Sequence, residues 1–176
     1  MSTRAPRRFR RRPYRSLALI LVLALLGVVR HLSGPAPPHS SLPPAEGMHR
    51  LRRVIDGDTI IVAPDATIRL IGVNTPETVK PMHPVEPWGP EASAFTREFL
   101  ADGEVRLTFD RERVDRFGRF LAYVWVDDRL LNEALLRSGL GRYEPQFHYS
   151  PTMKRRFRQA QQEAQQARRG IWSHGE

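Results

Sequence analysis

Acidic, amide and guanidinium side chains gather in three short stretches of this 176-residue chain. The first is Asp56-Gly57-Asp58-Thr59, set between two apolar runs. Taken alone it reads as an Asp-Gly hairpin turn. The second is Arg69-Leu70-Ile71-Gly72-Val73-Asn74-Thr75-Pro76-Glu77, which alone reads as a strand with one exposed arginine running into a proline turn. The third runs from Asp115 through Arg116, Phe117, Gly118 and Arg119 to Tyr123, and alone is a turn followed by a strand.

Combined, the three suggest a common chemistry. Side-chain oxygens at Asp58 and Asn74, with Asp56 and the Thr75 carbonyl nearby, form the hard donor set that calcium or magnesium prefers. Arg69 and Arg119 can neutralise a phosphate through paired hydrogen bonds. Glu77 is a spare carboxylate able to orient a water or take its proton. A hard cation, two arginines and a carboxylate are the parts needed to cleave a phosphodiester with water, because cation and arginines stabilise the charge that develops on the phosphoryl oxygens.

The elements that must carry these residues are legible in the pattern. Residues 49–55, 58–63 and 67–73 are short Val/Ile/Leu-rich runs separated by turn residues, and each predicts a strand. Gly89-Pro90-Glu91 opens a predicted helix to about Ala101, with Ala92, Phe95, Phe99 and Leu100 on one side. Residues 104–109 and 119–126 predict two further strands, and residues 130–138 and 152–169 two further helices. Five strands with interspersed helices give an α+β domain, and closing them into a small barrel removes exposed strand edges.

Upstream of this domain, predicted for residues 48–176, lie two segments of other character. Residues 1–32 carry seven arginines by position 15 and then an apolar run, 17–29, closed by Arg30. That pattern predicts an export signal or signal anchor. No A-x-A-like site follows, so an uncleaved hydrophobic anchor helix is the expectation. The positive-inside rule then puts the domain outside the cytoplasm, periplasmic or at the cell surface, or secreted if the signal is cleaved. Residues 33–47 are rich in Pro, Ser and Gly and predict an extended linker. The net charge of +9 belongs mainly to the tail: residues 1–48 hold eight arginines against Glu46, while residues 49–176 hold 20 Lys and Arg against 18 Asp and Glu. Overall charge therefore argues only weakly for nucleic acid. The absence of cysteine excludes disulfides, thiolate metal sites and cysteine nucleophiles.

The ordered motifs resemble the staphylococcal nuclease (thermonuclease) family. They are the Asp-Gly-Asp-Thr turn, Arg-x4-Asn-Thr-Pro-Glu and the helix start from Trp88 to Thr96. Asp-Arg-Phe-Gly-Arg-x-Leu-Ala-Tyr, the Leu131–Leu135 stretch and the terminal Gly170-Ile171-Trp172-Ser173 complete the set. The match spans residues 49–174. The resemblance implies an OB-fold five-stranded β-barrel carrying about three helices, bound Ca2+, and hydrolysis of DNA and RNA to products ending in 3′-phosphates. It also implies roles. Asp58, Asn74 and the Thr75 carbonyl fall where the family holds calcium, and Asp56 supports that site. Glu77 falls on the position usually assigned as general base, and Arg69 and Arg119 on the phosphate-binding arginines.

Two departures stand out. The best-known members have a second aspartate where this chain has Asn74, which keeps an oxygen donor but removes a charge and should weaken cation binding. Phe117 stands where a tyrosine is common and keeps the ring without the hydroxyl. Tyr143, Phe147 and Tyr149 occupy a segment where the family stacks aromatics on bases, and packing serves equally well as an explanation. His83 and His148 lack metal-ligand spacing. Lys154, Arg155, Arg156, Arg158, Arg168 and Arg169 make the last helix basic, as a solvated face or a contact for anionic backbone or lipid. Nothing points to a protein partner, and a monomer is expected. The competing reading is a nuclease-like OB-fold that has lost catalysis and only binds nucleic acid; retention of Arg69, Glu77 and Arg119 argues against it.

Overall fold

The structure is a computed structural model that describes residues 43–78 and 84–173. The anchor segment, most of the linker and His83 lie outside the described residues. Among the described residues no helix is long and apolar enough to cross a membrane.

Among the described residues, eight strands and three helices follow the chain order. β1 (Gly47–Val54), β2 (Thr59–Val62), β3 (Ala66–Leu70) and β4 (Val73–Asn74) precede helix α1 (Gly89–Phe99). Then come β5 (Glu104–Thr108), β6 (Phe120–Val126), β7 (Arg129–Leu130), α2 (Leu131–Arg137), β8 (Arg142–Tyr143) and α3 (Pro151–Gln166). A 3-10 turn, Gly170–Trp172, ends the described chain.

β1 is shared between two neighbours. Its first half, Gly47 to Arg50, pairs antiparallel with β5, and its second half, from Leu51 on, pairs antiparallel with β2. The register shifts between Leu51 and Arg53, which bends the strand so that it can serve both. β2 pairs with β3 and β5 with β6, both antiparallel, and a parallel β3–β6 ladder closes the ring. This is an α+β domain built on a closed five-stranded OB-fold barrel with three helices. Ile60, Val62, Ile68, Leu70, Val105, Leu107 and Leu121 fill the core, fully removed from water. Each such side chain contributes about 1.5–3 kcal/mol of burial free energy.

Helices brace the strands that carry the site. α1 begins with Pro90 in its first turn, where a missing N–H costs nothing, and turns Ala92, Ser93 and Thr96 inward. In α2 the buried Asn132 ties β6 to the turn between β3 and β4: its Oδ1 accepts from the Val124 N–H at 3.0 Å, and its Nδ2 donates to the Ile71 carbonyl at 2.9 Å and the Ala122 carbonyl at 3.3 Å. α3 starts at an N-cap in which Ser150 Oγ accepts from Met153 N–H.

The predicted third strand differs from the observed one. It breaks after Leu70 because Gly72 adopts φ +79°, and a Cβ there would lie 2.6 Å from the Tyr149 hydroxyl. Only glycine fits that turn. The chain then leaves the barrel as β4 and pairs with β8. The last helix stops at Gln166 instead of running to Arg169, since Arg168 turns to φ +51° and sends Ile171 N–H onto the Gly139 carbonyl at 2.9 Å.

Candidate active site

The three sequence stretches meet along one cleft of about 1100 Å3. Asp56, Asp58, Arg69, Asn74, Thr75, Glu77 and Arg119 all line it. It is also lined by Thr67, Glu112, Asp115, Arg116, Phe117, Glu144, Gln146 and Phe147.

Asp56 and Asp58 sit in the β1–β2 turn, as the hairpin reading of this stretch requires. Ile55 N–H donates to the Thr59 carbonyl at 2.9 Å, and Asp56 Oδ1 accepts from Asp58 N–H at 3.1 Å. Asp58 is buried and committed: Oδ2 accepts from the Thr75 N–H at 2.7 Å and its hydroxyl at 3.1 Å, and Oδ1 from the Thr59 hydroxyl at 3.0 Å. Gly57 between them has no room for a side chain. A Cβ would stand 2.8 Å from Ala92 Cβ and from the Thr75 side chain, and the Gly57 carbonyl accepts from Thr96 Oγ1 at 2.6 Å. The turn is thereby clamped between α1 and the segment after β4.

Arg69 leaves β3 for the same place and is only 4% exposed. Its Nη1 donates to the Leu70 carbonyl at 3.0 Å and to the Val73 carbonyl, and lies 3.3 Å from Asp58 Oδ2. Its Nη2 donates to Asn74 Oδ1 at 3.0 Å and to Glu144 Oε2 at 3.3 Å. Arg119 enters from the turn before β6. Asp115 Oδ1 accepts from the Phe117 and Arg119 N–H groups, and Oδ2 from Arg119 Nε at 2.7 Å. The parallel ladder sets Arg69 opposite Leu121, two residues beyond Arg119, which is how residues fifty apart in sequence reach one cleft. Glu77 lies past β4, half-buried, with Oε1 accepting from Thr78 N–H at 3.0 Å.

Negative charge accumulates at one end. Burial, and next the charge on Asp58, push the Asp56 carboxyl up to about 7, with Glu77 adding to the effect. Among the described residues no three Asp, Glu, His or Cys side chains converge as a metal cluster. A cation here would have to draw on the Asn74 amide oxygen and the Thr75 carbonyl as well as Asp58. The oxygen-only set and its unbalanced charge fit a hard cation.

Three of the aromatic residues divide by role. Tyr149 is core, packed on Phe157, and its hydroxyl donates to the Glu144 carbonyl. Phe147 lines the cleft, as does Phe117, which is 55% exposed beneath the guanidinium groups of Arg116 and Arg119. Several of the basic residues of the last helix and the turn after it are spoken for. Arg156 pairs with Glu133, Lys154 Nζ donates to the Pro145 carbonyl, and Arg169 to the Arg137 carbonyl. Glu144, Glu112 and Gln146 were not anticipated; the one signal for Glu144 is that it is the sole acid between Arg142 and Ser150.

Comparison with known proteins places this geometry. The sequence model described as staphylococcal nuclease homologue matches residues 67–174. The chain belongs to the staphylococcal nuclease family. It is a nuclease, a hydrolase of phosphodiester bonds. Among relatives of this nuclease, the thermonuclease of Staphylococcus hyicus is 43% identical over 164 residues, covering 90% of this chain and 94% of the relative. The thermonuclease of Staphylococcus intermedius is 44% identical over 161 residues, covering 88% and 94%. Endonuclease YncB of Bacillus subtilis is 43% identical over 131 residues, covering 70% of this nuclease and 60% of the relative.

Proposed function

We propose that this nuclease is calcium-dependent, cleaves DNA and RNA with little base specificity and leaves 3′-phosphates. We further propose that its N-terminal segment anchors it to a membrane with the nuclease domain outside the cytoplasm. The observation that carries the catalytic reading is the meeting of two guanidinium groups, Arg69 and Arg119, with the acidic end of one open cleft.

In this reading Arg69 and Arg119 bind the scissile phosphate and offset the charge growing on its oxygens. Glu77 orients a water and accepts its proton as the water oxygen bonds to phosphorus. The bond from phosphorus to the 5′-oxygen breaks, that oxygen takes up a proton, and the phosphate stays on the 3′ side. Asp58, Asn74 and the Thr75 carbonyl would hold calcium, with Asp56 in support. When bound, calcium supplies Lewis-acid polarisation of a phosphoryl oxygen. Phe117 and Phe147 offer rings on which any base can stack, which supports tolerance of sequence. The Arg-rich head and the apolar residues 17–29 support the anchor, and a reporter fused after Glu176 reads its orientation: cytoplasmic signal overturns it.

The catalytic test is cleavage of single-stranded DNA by the full chain, titrating calcium against EDTA. Cleavage should need calcium and should fall by about 100-fold or more in both Arg119→Ala and Glu77→Ala. Cleavage indifferent to EDTA removes the calcium reading, and binding without cleavage would return the chain to a nucleic-acid-binding module.

A further inference from the structure

Glu144 reaches the cleft from the loop after β8, 75 residues along the chain from the arginine it faces. It is fixed by its backbone. Its N–H donates to the Gly72 carbonyl at 3.0 Å, and its carbonyl accepts from the Tyr149 hydroxyl at 3.1 Å. Gly72 lies in the turn between Arg69 on β3 and Asn74 on β4, so Glu144 is tied to the same turn that sets both. Its side chain, 19% exposed, places Oε2 3.3 Å from Arg69 Nη2, while Oε1 accepts from Gln146 Nε2.

Arg69 already pairs with Asp58, so without Glu144 these two charges cancel and leave no net negative charge of their own for a cation. The guanidinium stands 3.3 Å from Asp58 Oδ2 and 3.0 Å from Asn74 Oδ1, against two of the oxygens assigned above to the cation. Asn74 brings no charge to offset that proximity. A guanidinium countered by Asp58 alone uses up that carboxylate's charge, and burial leaves little water to screen its repulsion of a divalent ion.

We propose that Glu144 is the compensating carboxylate of this site. It neutralises Arg69 and keeps the surroundings of Asp58 negative enough to bind calcium although residue 74 is uncharged. It is a positioning residue that acts through Arg69, and its role rests on the calcium reading given above.

The test is calcium affinity of the full chain in detergent, measured by titration calorimetry without substrate. Glu144→Gln keeps the shape of the side chain and both main-chain contacts, and thermal melting checks that the fold is retained. The variant should bind calcium roughly tenfold more weakly, since charge count tunes such sites. Adding Asn74→Asp to Glu144→Gln should return affinity to near the wild-type value. Equal affinity in wild type and Glu144→Gln, within about twofold, overturns the proposal and leaves the calcium reading standing. A weakened Glu144→Gln that Asn74→Asp fails to rescue also overturns it, because charge compensation is then not the cause. Wild-type protein that binds no calcium overturns proposal and calcium reading together.

Discussion

Asp115 does for Arg119 what β3 does for Arg69. Its carboxylate is almost wholly covered, at 4% side-chain exposure, and holds Arg119 by both the backbone N–H and Nε. That bond uses Nε and leaves the two outer nitrogens of a cleft-lining guanidinium for a bidentate anion. Removing that carboxylate leaves the arginine charged but unaimed, and an error of an ångström in such a group costs up to about 100-fold. Asp115→Ala should therefore lower kcat for single-stranded DNA by about 10- to 100-fold with a smaller change in KM. Asp115→Asn, which can still accept from the backbone, should lose less. Equal kcat in all three proteins would mean that Arg119 finds its direction elsewhere.

At the level of elements, Asp110 ties the end of β5 to β6 and to the start of α3. It accepts from the Tyr123 hydroxyl at 2.8 Å, Ser150 N–H at 2.9 Å and Arg111 N–H at 2.8 Å. Burial alone would raise its pKa, but the bonds from Ser150, Tyr123 and Arg111 together win and hold it below the ordinary 3.8. The sign follows: the stabilisation is full above 3.8 and is lost as pH falls through the lower folded value. Asp110→Asn should cost about 1 kcal/mol at pH 7, discounted because the carboxylate is partly in water. The gap from wild type should close in strong acid, as denaturant titrations at both pH values would show; a gap that persists there would deny the ionised carboxylate any part. Most of this scaffold was legible beforehand, because buried strands announce themselves by short apolar runs and helices by their spacing. The break at Gly72 was not, since an apolar run gives no sign of a positive φ in its midst. Glu144 was hidden for another reason: an ion pair spanning 75 residues leaves no local pattern. Tyr149 could be assigned to the core only once Phe157 was seen beside it.

For the whole molecule, the governing feature is the parallel seam of Ile68, Arg69 and Leu70 against Phe120, Leu121 and Ala122. The β5–β6 hairpin joins near neighbours in sequence, whereas the seam must close a loop of some fifty residues, and closure entropy delays such contacts. Trp125 reports the hairpin, pairing with Arg106 and donating through Nε1 to Thr108 Oγ1 at 3.0 Å. In a variant keeping Trp125 as its sole tryptophan, fluorescence should recover on refolding no later than cleavage does. Cleavage returning first would show that the arginines can meet before the hairpin has formed. The order has a consequence for the life of the enzyme. Until the seam forms, Arg69 and Arg119 stand on separate segments, so a chain emerging from synthesis should not cut the nucleic acids around it before its barrel has shut.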